Sequence, residues 1–185
     1  MSLSEIQKRA LLNLAKDSVL YGLKERKRLK IDVKKYTGVL SENRASFVTI
    51  RKEKKLCGCI GSIEARRPLV LDVVNNAYSA AFNDYRFSPV TMQDFNMLDF
   101  HISILGPLEE IIFNTEEELI RQVQPIIHGI LIEAENKKAT FLPSVWESLP
   151  DINDFLKELK KKAGLSENFD NLKLKVFRYI VEEIP

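Results

Sequence analysis

Residues 56–61 read Leu-Cys-Gly-Cys-Ile-Gly, and this hexapeptide constrains the fold more than any other stretch of the chain. It is short and apolar, as a strand is, yet it holds two glycines three positions apart. Glycine inside a strand weakens it, and marks a bulge or a place where another backbone or a ligand comes close. Gly58 and Gly61 therefore predict a strand whose backbone is in use, through a bulge, a positive φ or a close contact. The strand-like run 46–51 and the charged turn 51–55 precede it, which predicts a hairpin.

A second demanding motif follows at residues 84–90, Asp-Tyr-Arg-Phe-Ser-Pro-Val. Between the two, Pro68 suits the first turn of a helix, and Val70, Val74, Ala77 and Ala81 continue one face. Upstream, Ile6, Ala10, Leu11, Leu14, Ala15 and Val19 recur at helical spacing over residues 4–28. Downstream, Leu98, Phe100, Ile102 and Ile104 alternate with other residues in the period-2 pattern of a strand. Thr115 with Glu118 forms a capping-box pattern. Residues 130–134 and 139–142 flank Glu-Asn-Lys-Lys as a second hairpin. Asp151 caps a helix carrying Phe155, Leu156 and Leu159, with Gly164 just past its end. Residues 172–181 read as one strand. Hairpin signals outnumber βαβ units, so the fold class is α+β, with a mixed or mainly antiparallel sheet and flanking helices.

At 185 residues the chain can bury its apolar surface as a single domain over 1–185, with a second, inserted lobe beside a cleft allowed but not required. No apolar run approaches the roughly 20 residues that span a bilayer. The first residues are broken by Lys8, Arg9, Lys16 and Asp17, unlike a signal peptide, so a cytoplasmic location is expected. A net charge of +2 does not argue for nucleic acid. The basic runs at 51–55 and 157–162 lack interleaved aromatics and read as a hairpin tip and a solvated helix face. Gly-Cys-Ile-Gly has neither the lysine of a phosphate loop nor dinucleotide spacing.

Cys57 and Cys59 would project to one face of a regular strand. A disulfide so close in sequence would be strained, so both are read as thiols. Cys59 is either a nucleophile or ligand beside glycines that admit a substrate, or a small buried hydrophobe. His128, before Gly129, is either an acid–base group or a histidine bonded at a strand end. His101 lies mid-strand and reads as structural or surface. Asp84 and Arg86 can pair with each other, or together frame a polar or anionic substrate. Two cysteines and two histidines at these spacings match no usual zinc set, so no metal and no cofactor is expected.

These motifs together resemble the AMMECR-domain family, whose signature is Leu-Arg-Gly-Cys-Ile-Gly and most of whose members have no established biochemistry. The resemblance runs over nearly the whole chain, through 56–61, 84–90, the strand around His101, Ile-Ile-His-Gly-Ile at 126–130 and Phe-Leu-Pro-Ser-Val-Trp at 141–146. Cys57 stands where the family has arginine, so no role of a guanidinium there carries over. The resemblance is to the component A type of the AmmeMemoRadiSam system, and implies a pathway shared with Memo-type and radical-SAM proteins. It implies an enzyme, or the substrate-holding component of one, acting on a small molecule or a protein. Its cleft would lie among 56–61, 84–90 and His128, with Cys59 and His128 catalytic and Gly58, Gly61, Asp84 and Arg86 binding. The other reading is a non-catalytic adaptor, and the third a nucleic-acid-associated regulator.

Overall fold

A computed structural model describes residues 3–185 and shows an α+β protein built on two four-stranded sheets. The chain divides into two compact units, one made of the chain up to Leu105 together with Glu182–Pro185, the other of Gly106–Val181.

In the first unit, helix α1 (Glu5–Glu25) opens at Ser4. The Ser4 side chain accepts from Gln7 N, and the Gln7 side chain accepts from Ser4 N. This reciprocal cap satisfies two N–H groups that a helix start leaves unpaired. Its buried stripe is Leu11, Leu14, Ala15, Ser18, Val19 and Gly22. Ile6, which the spacing places on that stripe, is 82% exposed, because the stripe begins one turn later.

Strands β1 (Ser46–Lys52) and β2 (Lys55–Gly61) form the predicted hairpin. Glu53 and Lys54 both take positive φ at its two-residue turn (49° and 67°), the hand that matches strand twist. Helix α2 (Leu69–Phe82) starts after Pro68 and is buried on most of its circumference. Strand β3 (Leu98–Leu105) lies as its alternation predicts, with Phe100, Ile102 and Ile104 inward. The sheet order is β2-β1-β3-β8, where β8 is Val181–Ile184. One face of this sheet packs with α1 and α2 into a core that includes Val48, Ile50, Val70, Val74, Ala77 and Ile102.

The second unit carries β4 (Glu109–Ile111), α3 (Glu116–Gln122), β5 (Gly129–Ala134), β6 (Lys137–Phe141), α4 (Ile152–Lys162) and β7 (Lys175–Tyr179). Its sheet order is β4-β7-β5-β6, antiparallel throughout. Asp151 caps α4 by accepting from Asn153 and Asp154 N, and Gly164 follows at φ 74°. Thr115 accepts from Glu118 N, but the Glu118 carboxylate returns to Asn114 N rather than to Thr115 N. The core centres on Trp146, stacked on Phe155 at 3.7 Å between centroids. The segment 172–181, predicted as one strand, is divided. β7 ends at Tyr179, and β8 begins at Val181 in the other sheet. Among the described residues no helix is long and apolar enough to cross a membrane.

Candidate functional site

The hexapeptide is the edge strand β2, and its register with β1 shifts between Ile50 and Arg51. Ile50 pairs with Gly58 and Arg51 with Leu56, leaving Cys57 as the extra residue of a β-bulge. The bulge corrects the expectation that the two cysteines share a face. Cys57 packs against the core under α2, whereas Cys59 pairs with Thr49 on the opposite face. Thr49 Oγ1 donates to Cys59 Sγ at 3.3 Å, and both residues are half-buried. Cys59 thus lies outside the apolar cluster that takes in Cys57.

The two glycines answer to packing. A Cβ on Gly58 would overlap the carbonyl oxygen of Ala80, so α2 sits directly on the strand backbone there. A Cβ on Gly61 would run into the ring of Phe47. These are close contacts of the kind expected of Gly58 and Gly61, made here by the protein's own atoms.

Asp84 and Arg86 close the outer edge of β2. Asp84 Oδ2 accepts from Cys59 N (2.9 Å), and Arg86 Nη2 donates to Cys59 O (3.0 Å). The backbone of Cys59 is therefore met on its free side much as a further strand would meet it, which covers the open edge at that residue. The two side chains also bond each other, Arg86 Nε to Asp84 Oδ1 at 2.9 Å and Nη2 to Oδ2 at 2.7 Å. The Asp84 side chain is 2% exposed and uses both oxygens internally, whereas the Arg86 side chain is 48% exposed. The Arg86 bonds hold Asp84 at a pKa of about 2, and Asp84 in turn raises that of Arg86, with a smaller contribution from Cys59. Between them the ring of Tyr85 stands in solvent, 95% exposed.

His128 belongs to the second unit. Its Nδ1 accepts from Gln124 N (3.1 Å), its N–H donates to Gln124 O (3.0 Å), and its carbonyl accepts from Trp146 Nε1 (2.7 Å). Burial lowers its pKa, with Arg178 adding to the effect. An imidazole that accepts at Nδ1 and stays neutral carries its proton on Nε2, so the nitrogen left over can donate but not accept. Gly129 beside it makes room for Tyr179, whose ring a Cβ would overlap and whose hydroxyl meets Thr140 Oγ1 at 2.6 Å.

A further group goes beyond what the motifs indicate. Asp72, 1% exposed, accepts from Ser46 N and Oγ, Asn76 Nδ2, Ser62 Oγ and Arg67 Nε. It ties the start of β1 and the residue after β2 to the first turn of α2. The signal available in sequence is an aspartate within an apolar helical run. Among the described residues no three His, Cys, Asp or Glu side chains lie where they could share a metal ion.

The AMMECR1 family model matches residues 12–184. The chain belongs to the AMMECR1 family. A protein of Caldivirga maquilingensis is 31% identical over 169 residues, covering 86% of this chain and 75% of that relative. Protein MJ0810 of Methanocaldococcus jannaschii is 34% identical over 143 residues, 74% of this chain and 69% of its own. In structure the chain is similar to the uncharacterized protein PH0010 from Pyrococcus horikoshii, with a TM-score of 0.88 at 28% identity, over 98% of this chain and 92% of that one. In this AMMECR1-family chain, residues 56–61 thus belong to a bulged edge strand with one thiol turned inward and one outward.

Proposed function

We propose that this protein is an enzyme, or the substrate-holding component of one, that acts through the thiol of Cys59 on the outer face of the first sheet. The single observation that carries this reading is the position of Cys59. The bulge at Cys57 turns Cys59 away from the core and against the Thr49 hydroxyl. A cysteine that only filled space would sit where Cys57 sits. Arg86 supports the reading, because its guanidinium is fixed at the Cys59 backbone while half its surface stays open to a ligand. A fixed, partly open guanidinium suits an anionic group on that ligand. Asp84 serves this site by positioning Arg86 and the strand, since its own oxygens are taken. The proposal keeps the cytoplasmic location and a pathway shared with Memo-type and radical-SAM proteins, both by family resemblance. The test is alkylation of Cys59 in a Cys57→Ala background across pH. Fast labelling of the folded protein is expected. Slow labelling in the native state would sink the enzyme reading.

A second reading, a non-catalytic adaptor, is favoured by Tyr85. A fully exposed tyrosine held between two fixed residues suits an anchor that a partner protein would bury. Loss of partner capture on Tyr85→Ala with Cys59→Ala silent would select it.

A further inference from the structure

The registers of β2, β1 and β3 place Cys59 opposite Thr49, and Thr49 opposite His101. Residues directly opposite in antiparallel strands share a face, with Cβ atoms about 4.5–5.5 Å apart. Thiol, hydroxyl and imidazole therefore form one row across the sheet, on the face turned away from α1 and α2. All three are half-buried, partly open to solvent. Neither His101 nor Thr49 stands out in sequence, because nothing there pairs residues 49, 59 and 101.

We propose that His101 is the base that takes the proton of Cys59, with Thr49 between them as the relay. The inference rests on the reading of Cys59 as a reactive thiol. In this step the Cys59 S–H bond breaks and its proton passes to the Thr49 oxygen as the Thr49 hydroxyl proton passes to the neutral His101 ring. The products are a thiolate and an imidazolium, with no change in net charge. The hydroxyl then donates to the sulfur, which is the direction of the bond at 3.3 Å. The thiolate pair bonds an electrophilic carbon, the bond from that carbon to its leaving group breaks, and the imidazolium returns the proton to that group. Arg86, fixed at the Cys59 carbonyl, meets an anionic group on the same substrate. The chemical class is therefore an anionic compound with an electrophilic carbon.

The charged groups around the row are few. Arg51 lies opposite Asp99 one step along the same face. On the other side Ser103 Oγ donates to Glu183 of β8 at 2.8 Å. Asp99 and Ser103 stand two residues either side of His101 on β3, so Glu183 is held at Ser103 rather than at the ring. Arg86 stands at the opposite end, beside the thiol.

The experiment measures iodoacetamide alkylation against pH on the full chain carrying Cys57→Ala, alone and with His101→Asn or Thr49→Val. His101→Asn slows labelling at neutral pH by about tenfold or more. Thr49→Val slows it in the same direction. A second measurement needs no histidine variant. The His101 ring signals, followed by NMR, shift once Cys59→Ala removes the thiol. A reactive Cys59 whose labelling is the same with and without His101, or His101 signals indifferent to Cys59, overturns this inference and leaves the reading of Cys59 standing. A Cys59 that does not label in the folded parent overturns both.

Discussion

The two units use similar residue types to opposite ends. In the second unit the residues around His128 and Trp146 close inward. His128 gives its carbonyl to Trp146, Trp146 stacks on Phe155, and Gly129 admits the ring of Tyr179. In the first unit the glycines also serve packing, but strand register places Cys59, Thr49 and His101 together on the outer face. A motif residue is therefore no guide to chemistry until its side chain is placed. Histidine in one unit is locked by a backbone N–H, and in the other it stands in a row with a thiol.

The sharpest way to break this comparison is to test whether the second unit's motif is a core element. Trp146→Ala removes a fully buried ring, its stack on Phe155 and its bond to His128. It should cost about 3–5 kcal/mol in chemical denaturation. A loss below ~1 kcal/mol would mean the motif is not there for packing, and would reopen a site around His128.

Next in size is Gly58→Ala. The new methyl meets a helix carbonyl rather than a flexible side chain, so α2 must shift on β2. A loss of about 1–3 kcal/mol is expected, in the range of overpacked cores. A neutral result would mean that the space over Gly58 is open, and would restore the idea that a substrate approaches there.

Much of the architecture is legible in the sequence, because periodicity reports burial. β3 and α4 fall where alternation and caps place them, since Phe100, Ile102 and Ile104 face one core and Asp151 can only usefully cap. The break at Ile180 is not legible, because residues 172–181 are uniformly strand-like and only pairing partners assign β7 and β8 to different sheets. The candidate site is half legible. Cys59, Asp84 and Arg86 announce themselves by type and spacing, and they do meet. The opposite facing of the cysteines depends on one bulge, and His101 depends on register across two strand pairs. Single-strand spacing contains neither.

The pairing of Asp84 with Arg86 gives a smaller, pH-dependent effect. The native carboxyl titrates at about 2, against 3.8 for the ordinary side chain, so the ionised form is favoured by folding. Its contribution, about 2 kcal/mol for a shift of this size, is present above pH ~4 and is lost as pH falls toward ~2. Asp84→Asn should therefore be less stable than the parent at neutral pH, and the gap should close in acid. A gap that persists unchanged at pH ~2 would assign the loss to packing rather than to the ion pair.

The smallest expected effect concerns His128 and has the sign of a depressed histidine. Folding favours the neutral ring, since burial and Arg178 disfavour its charge and Nδ1 is occupied by Gln124 N. The unfolded state then binds the proton more readily near the ordinary ~6.5. Stability is fully present above that pH and declines as pH falls below it, through the lower native titration. In His128→Gln this part of the pH dependence should vanish, leaving the carboxylate-driven loss at lower pH. His101 offers the contrast within the same molecule: its substitution should alter the labelling of Cys59 far more than it alters denaturation. If His128→Gln changes thiol reactivity while His101→Asn changes only stability, the two histidines have been assigned the wrong way round, and the division between a packed unit and a reactive one fails with them.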